Sequence, residues 1–450
     1  MEVCVKLSDS FTYKKLLKFT FPTIIMMIFT SIYCIIDGFF ISNFACETYA
    51  KSQDAFEAVN LVYPFLLILG SFGFMFGTGA AALISKYFGQ GKNDQANNTF
   101  SLVVYFSIII GVVLSIIGLI FLKPFCLFLG AEDALLSDSL RYGQILLLAI
   151  PFFVLQYEFQ CLFTAAEKPK LGFIVTLIAG ITNMVLDALF VVVFKFGLEG
   201  AAVATALAQV VGGIIPIIYF ARPNSSKLRL SKIKMSFKDL LKTCTNGSSE
   251  LVSNIAMNLV SMVYSFQLLR IAPEGDGLAI YGVLMYVCMI FQAIFFGFTT
   301  GSSPIVSYHF GSNNHKELKN LFKKSVVLIF IFSFLMFIIG FIFARPIALI
   351  YLKDAGLIEA TKYAFRIFSV SFLFFGFTIF ASAFFTALNN GLISMLISSL
   401  KSLVFYILSG LVIPYLFGMD GVWWSIVVAE GLAFITSLIF IVCFKKKYRY

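Results

Sequence analysis

The chain has 450 residues, of which 60% are hydrophobic and 12% are charged, and its net charge is +10. Soluble globular domains carry about 25% charged residues, so this composition excludes them and predicts an all-α polytopic membrane protein. The apolar runs are continuous, whereas a membrane β-barrel would show short alternating segments. Basic loops on one side of a membrane explain the positive charge, so no nucleic-acid partner is expected.

Apolar runs separated by polar stretches predict twelve membrane-spanning helices. The first run is long enough to cross a bilayer with some tilt, and it is too long for the core of a signal peptide. The predicted spans are 17–44, 58–85, 99–122, 140–164, 171–194, 200–221, 247–271, 279–308, 323–345, 361–385, 391–417 and 421–444.

The charges of the connecting loops alternate along the chain. Basic residues dominate the N-terminal segment, the even-numbered loops and the C-terminal tail "KKKYR". The odd-numbered loops are acidic and contain Glu47, Asp54, Glu132, Asp133 and Glu274. Because Lys and Arg collect on the cytoplasmic side, both termini and all even loops are predicted to lie in the cytoplasm of a cell-membrane protein.

The second half of the chain repeats the first. The stretch "GTGAAALISKYFGQGKN" at 77–93 matches "FTTGSSPIVSYHFGSNN" at 298–314, and Gly79 corresponds to Gly301, 222 residues later. Each half carries an even number of predicted spans, so the two repeats are parallel in the membrane, a plan typical of transporters with a central cavity. The predicted parts are a six-helix lobe at 1–221, a basic cytoplasmic linker at 222–246 and a second six-helix lobe at 247–450.

Residue patterns for catalysis and nucleotide binding are missing from the sequence. The only histidines are His309 and His315, and they assemble into no catalytic set. The stretch "GQGKND" at 89–94 lacks the spacing of a phosphate-binding loop. The eight cysteines are scattered without a CxxC pair, which argues against disulfide or metal roles. The sequence therefore predicts a protein that is not an enzyme, holds no cofactor and takes its energy from an ion gradient.

Four oxygen-bearing side chains lie inside the predicted spans of the first half: Asp37, Asn183, Asp187 and Thr205. An Asp at the centre of a span costs about 2.5–3.5 kcal/mol on insertion scales, so such residues are functional by default. Oxygen ligands suit a hard cation such as Na⁺, while a proton needs only a buried carboxylate. Both ions remain open, and so does the alternative that these groups only bond neighbouring helices.

A second group of polar residues is interpreted as a possible substrate cavity or C-terminal polar site: Gln156, Glu158, Glu250, Lys401 and Glu430. A Glu–Lys pair would neutralise itself and serve structure, and the alternative is a role in handling substrate or protons. Proline in a membrane helix frees a carbonyl and produces a kink, so Pro22 is predicted to kink the first helix.

The chain resembles the multidrug and toxic compound extrusion (MATE) family, in its bacterial drug-efflux branch. The residues that carry the resemblance are Pro22 with "IDGFFISNF" (36–44), "GTGAAALISKYFGQGKNDQA" after the second span, "TAAEKPKLG" after the fourth span, and "NMVLD" (183–187). The resemblance covers nearly the whole chain. Two departures are a longer, more polar first loop and the position of Glu250 near the start of the seventh span.

This resemblance implies a fold of two six-helix lobes around a V-shaped cavity and export of amphipathic, often cationic, drug-like compounds in exchange for Na⁺ or H⁺. It implies a cation or proton site formed by Asp37, Asn183, Asp187 and Thr205. The expected protein acts as a monomer in the bilayer. An alternative is a lipid-linked oligosaccharide flippase of the wider superfamily, which would need a cationic cavity, whereas these spans hold mainly acids. A sensor or scaffold is the third hypothesis, and no soluble signalling domain supports it.

Overall fold

The protein is helical throughout, as described by a computed structural model over residues 5–44, 52–272 and 275–450. These residues contain no β-strand. Glu47 and Glu274, and the side chain of Asp54, lie outside the described part.

The helices are α1 (Tyr13–Phe44), α2 (Ser52–Gly89), α3 (Asn93–Phe128), α4 (Asp133–Ala165), α5 (Pro169–Asp187), α6 (Gly197–Ala221), α7 (Phe237–Ile271), α8 (Asp276–Gly311), α9 (His315–Ile342), α10 (Ala344–Tyr351), α11 (Ala355–Ser369), α12 (Phe372–Ala387), α13 (Gly391–Ser399) and α14 (Tyr406–Tyr448). Two π-helical segments, Ala188–Val193 and Leu400–Phe405, follow α5 and α13.

The described helices account for the predicted number of spans. Ten helical stretches are long and apolar enough to cross a membrane, and the pair α11 and α12, bent by 46°, makes an eleventh. The last stretch, Gly391–Tyr448, has 58 residues and would rise about 87 Å, against an apolar bilayer core of about 30 Å. It is interrupted at Gly418, whose φ of 59° and ψ of −136° are not helical. Division at this glycine gives the twelve predicted spans.

The outer faces of the bundle are apolar, as a bilayer requires. On α3 the side chains of Ile109, Ile116 and Ile120 are 60%, 54% and 64% exposed. Their spacing places them on one face of the helix, where water would be an unfavourable environment. The protein is therefore embedded in a membrane.

Both ends of the chain lie at the same end of the bundle, which we call the terminal side. The Nε2 atom of His309, near the end of α8, lies 3.2 Å from the backbone oxygen of Asp9. The adjacent ring of Phe310 packs against Tyr448 with a centroid distance of 5.7 Å. The N-terminal segment and the end of α14 therefore meet around the end of α8.

Helix α1 contributes to the cores of both halves. One core collects side chains of α2 to α6 together with Ile41 from the far end of α1. The other collects α8 to α14 together with Phe11, Leu16 and Phe19 from the beginning of the chain. The first helix thus crosses from one lobe to the other, although sequence numbering assigns all of it to the first.

Glycines allow the two lobes to approach closely in the half of the bundle nearer the terminal side. A Cβ atom on Gly79 of α2 would collide with the backbone carbonyl of Thr243 on α7. Its repeat equivalent, Gly301 of α8, packs against Thr20 and Thr23 of α1. The two repeats therefore form equivalent contacts, α2 with α7 and α8 with α1, and these contacts hold the lobes together.

Helix α7 begins at Phe237, well before the predicted span start at 247, so the end of the predicted linker is helical. The Ser236 side chain accepts a hydrogen bond from the backbone N–H of Asp239 at 3.4 Å and caps this helix. An apolar run marks only the part of a helix that lies in the membrane, and this first stretch of α7 carries Lys238 and Lys242.

Candidate functional site

The four polar residues predicted to bind a cation or proton converge where α1, α5 and α6 pack together. Asp37 lies on α1, far from the terminal side, Asn183 and Asp187 lie one turn apart on α5, and Thr205 lies on α6. The α-helix ends at Asp187 and a π-helical segment follows. Such segments interrupt regular helical hydrogen bonding and occur often at functional sites. We call this arrangement the carboxylate site.

Long hydrogen bonds connect the neutral members of the carboxylate site to one acid. The Asn183 Nδ2 atom donates to Thr205 Oγ1 at 3.3 Å, and Thr205 Oγ1 donates to Asp37 Oδ1 at 3.4 Å. The carboxyl groups of Asp37 and Asp187 lie close enough for their charges to act on each other. The two hydrogen bonds are longer than usual and therefore weak.

The second acid of the site is buried without a hydrogen-bond donor. Asp187 is 0% exposed, and neither of its carboxyl oxygens has a hydrogen-bond partner among the described residues. The Oδ1 atom of Asn183 is also buried and unpartnered. Ionised carboxylates only accept hydrogen bonds, and two of them close together in an apolar medium repel strongly. The arrangement therefore favours a shared proton or a small hard cation, for which these oxygens are suitable ligands.

The rings of Phe29 and Tyr33 on α1 pack against Gly180 of α5 and position α1 beside this site. A Cβ atom on Gly180, one turn before Asn183, would collide with the ring of Phe29 and contact Tyr33. The Tyr33 hydroxyl lies beside the amide of Gln156. Sequence reasoning missed Gly180 and Tyr33, although both precede predicted site residues by about one helical turn.

Gln156 and Glu158, two of the residues interpreted as a possible substrate cavity or C-terminal polar site, are buried on α4 of the first lobe. Gln156 lines a small internal cavity with Gln160 and Thr176. Glu158 is 0% exposed, and the backbone around it packs against Gly77 of α2. The Ser107 hydroxyl faces the Glu158 carboxyl, but neither carboxyl oxygen has a hydrogen-bond partner of good geometry. The contact of α4 with α2 encloses this acid.

Glu250 lies at the boundary between the lobes. It belongs to α7, and its backbone oxygen accepts a hydrogen bond from Asn254 Nδ2 at 2.8 Å. The carboxyl groups of Glu250 and Glu158 are both close enough for their charges to act on the thiol of Cys161. The structure thus brings these two acids near each other from opposite lobes.

Lys401 and Glu430 form a buried pair in the second lobe. The Lys401 Nζ atom lies 2.9 Å from Glu430 Oε1, and the two side chains are 13% and 0% exposed. The Tyr406 hydroxyl donates to the same oxygen, and the ammonium lies 4.1 Å from the centre of the Phe375 ring. Of the two interpretations of this pair, mutual neutralisation agrees with the contacts.

Pro22 lies inside α1, in the part of the helix that packs against α8. Its neighbours Thr23 and Ile24 contact the backbone of Gly297, and Thr23 Oγ1 donates to the Thr20 backbone oxygen at 2.6 Å. The missing backbone N–H of a proline weakens the helix at this point. The weak point therefore lies between the carboxylate site and the terminal side.

The chain is similar to proteins of known name along nearly its whole length. The MatE family profile matches residues 22–189 and 251–412. The chain is 23% identical over 438 residues to "Multidrug export protein MepA" of Staphylococcus saprophyticus, covering 96% of this chain and 94% of that protein. It is 24% identical over 432 residues to the protein of the same name in Staphylococcus aureus, covering 95% and 93%.

A solved structure described as "Outward-facing conformation of a multidrug resistance MATE family transporter of the MOP superfamily" has the same fold. It superposes with a TM-score of 0.91 at 19% identity, covering 100% of this chain and 99% of that one. At this identity the likeness concerns the fold alone.

Proposed function

This chain belongs to the MatE family, and we propose that it is a secondary active multidrug efflux transporter. It would export amphipathic, cationic compounds in exchange for Na⁺ or H⁺. The similarity to multidrug export proteins over nearly the whole length supports efflux of drugs. The observation that carries ion coupling is the carboxylate site, where a fully buried Asp187 lacks a hydrogen-bond donor and faces Asp37.

In the proposed mechanism the ion controls the shape of α1. A proton or Na⁺ between the two carboxyl groups removes their repulsion, and Asn183 and Thr205 supply neutral oxygens to a metal cation. Loss of the ion restores the repulsion and favours a different position of α1. The same helix packs through Thr23 and Ile24 against Gly297 of the other lobe. Movement of α1 about Pro22 would therefore reach the contact between the lobes.

A ligand shifts a conformational equilibrium only by its different affinity for the two states. In our proposal the affinity differs because a shift of α1 would change the distance between Asp37 on α1 and Asp187 on α5. Drug release on one side and ion release on the other would then alternate. Following the positive-inside bias of the loops, we assign the terminal side to the cytoplasm.

The alternative function, a flippase for lipid-linked oligosaccharides, is less well supported by the buried charges. Such a substrate carries pyrophosphate and would need unpaired cations in the cavity. The deep cation Lys401 is paired with Glu430 at 2.9 Å. The buried acids Asp187 and Glu158 have no partner on their oxygens, and anionic side chains favour cationic substrates.

Transport by the purified protein in vesicles tests this proposal. Vesicles are loaded with a fluorescent organic cation, and Na⁺ and pH gradients are imposed separately. Movement of the cation against its gradient, driven by one of these ions and stopped by the matching ionophore, is expected. Movement driven by ATP without any ion gradient would contradict the proposal, as would movement of a lipid-linked oligosaccharide with none of the organic cation.

A further inference from the structure

A cavity of about 430 Å³ opens on the terminal side, on the boundary between the lobes. It is distinct from the carboxylate site, which lies far from the terminal side. Its lining comes from two corresponding places in the repeat, the ends of α2 and α8. The lining includes Lys86, Gly89 and Lys92 from the first lobe and Phe310, Gly311 and Asn313 from the second.

The walls of this cavity are held in place by a reciprocal backbone contact. A Cβ atom on Gly89 would collide with the Tyr308 backbone oxygen, and one on Gly311 would collide with the Lys86 backbone oxygen. These are equivalent positions of the two repeats, related by the 222-residue offset. Because each lobe supplies one wall, the cavity keeps its shape only while the lobes are together on this side.

Two lysines line the cavity, and both belong to the first repeat. Lys86 is half-buried, with its ammonium 5.7 Å from the centre of the Phe310 ring. Lys92 and Lys242 are close enough for their charges to act on it. The residues equivalent to Lys86 and Lys92 in the second repeat are Tyr308 and Asn314, which are neutral. The lysines are therefore not required by the repeated backbone contact itself.

No acid neutralises these lysines within the described part of the chain. Neither Lys86 nor Lys92 is within 4.0 Å of a carboxylate among the ion pairs there. The acid Asp239 lies one turn before Lys242. Its carboxyl group accepts a hydrogen bond from the Tyr87 hydroxyl at 2.7 Å and forms no ion pair with a lysine in the described part of the chain. Like charges in a partly enclosed space repel each other, so an anion in the cavity would be stabilised by Lys86 and Lys92, which line it.

We propose that this cavity binds a phosphate group, either free phosphate or the headgroup of an anionic phospholipid. Lysine ammonium groups bind phosphate as point charges, and the side-chain amides of Asn313 and Gln90 supply further donors at the rim. A ligand that contacts both lobes binds best to the state in which they touch on the terminal side. Bound phosphate therefore stabilises this state and raises the melting temperature of the protein.

Thermal melting of the full chain in lipid nanodiscs tests the proposal. One arm uses phosphatidylcholine discs with increasing inorganic phosphate, and a second arm uses discs in which phosphatidylglycerol replaces part of the lipid. The variants are the double substitution Lys86→Gln with Lys92→Gln, the charge-preserving Lys86→Arg, and the matched control Lys319→Gln. Lys319 is an exposed lysine near the start of α9 and outside the cavity.

The wild-type protein and Lys319→Gln should melt at higher temperature with the ligand, and Lys86→Arg should retain most of this rise. The double variant should need about tenfold more ligand or show no rise, because two charge-assisted contacts are lost. If inorganic phosphate raises the melting temperature, free phosphate is sufficient as the ligand. If only phosphatidylglycerol raises it, the ligand is the phospholipid headgroup. The proposal is overturned if no ligand raises the melting temperature, or if the double variant and Lys319→Gln respond alike.

Discussion

At the scale of single residues, the buried ionisable groups differ in whether a partner neutralises them. Glu430 has an ammonium and a tyrosine hydroxyl on one oxygen, whereas both carboxyl oxygens of Asp187 and Glu158 are unpartnered. A buried ion pair stabilises a protein little compared with apolar residues, but an uncompensated buried charge is costly. We therefore expect the unpartnered acids to bind protons or cations, and the paired acid to have a structural role.

We predict that Asp37→Asn and Asp187→Asn each abolish ion-driven efflux while the protein remains as stable as the wild type or more so. Either change removes the charge that the ion neutralises, and for Asp187 it also removes a buried carboxylate without a donor. Thr205→Ala should reduce efflux less, and most if the ion is Na⁺, because Thr205 is a neutral ligand. The measurements are efflux from vesicles and thermal melting.

The matched control for this prediction is Asp276→Asn, a change of the same kind at an exposed residue at the start of α8. It should leave efflux unchanged. Efflux by Asp37→Asn at the wild-type rate and with the same ion dependence would remove Asp37 from the coupling site, and its role would reduce to bonding between helices.

We predict that Lys401→Met destabilises the protein more than the double change Lys401→Met with Glu430→Gln. The single change leaves Glu430 buried with a charge that nothing offsets, at a cost of about 3–5 kcal/mol, whereas the double change removes both charges. The measurement is the melting temperature in detergent. Equal destabilisation by the single and double variants would show that Glu430 is already neutral when Lys401 is removed.

At the scale of helices, α1 and the glycines of α2, α7 and α8 connect the two lobes. The beginning of α1 belongs to the second core and its far end to the first. Pro22 lies within the stretch of α1 that belongs to the second core, between Phe19 and Ile24. Glycines at the crossings allow backbone contact, and such contacts tolerate no added side chain without separation of the helices.

We predict that Gly247→Val separates the lobes on the terminal side, because a Cβ atom there would collide with the Met75 backbone oxygen. Spin labels at Gln90 and Asn313 should report a longer distance than in the parent protein. The control Gly282→Val lies on α8 at a position with nothing within 4 Å and should leave the distance unchanged. The same distance in both variants would mean that α2 and α7 adjust locally without moving the lobes.

At the scale of the whole molecule, the even number of spans places both chain ends on the terminal side. The basic linker lies on this side as well, and Asn97 of α3 donates to the Lys227 backbone oxygen at 3.2 Å. These segments are basic, and because Lys and Arg collect on the cytoplasmic side, the terminal side is the cytoplasmic one in our proposal.

Single-cysteine labelling in a background without the eight native cysteines tests this orientation. Cysteines at Asn224 and Lys446 should be shielded from an impermeant reagent in whole cells and should react after the membrane is opened. A cysteine at Asp133, the first residue of α4, should react in whole cells. Reaction of the Asn224 position from outside would reverse the orientation and place the phosphate cavity on the outer face.

The sequence by itself determined the class of protein, its repeat and its spans, because bilayer thickness sets the length of an apolar run and these signals are local. It also singled out Asp37, Asn183, Asp187 and Thr205 as candidates, since oxygen-bearing side chains within an apolar run are visible without knowing their neighbours. Only the tertiary structure decided that Lys401 neutralises Glu430, that Glu158 and Gln156 are enclosed in the first lobe, and that α1 belongs to both cores. It alone revealed the cavity between Lys86 and Asn313. These features depend on contacts between residues far apart in the chain, which periodicity and composition do not encode.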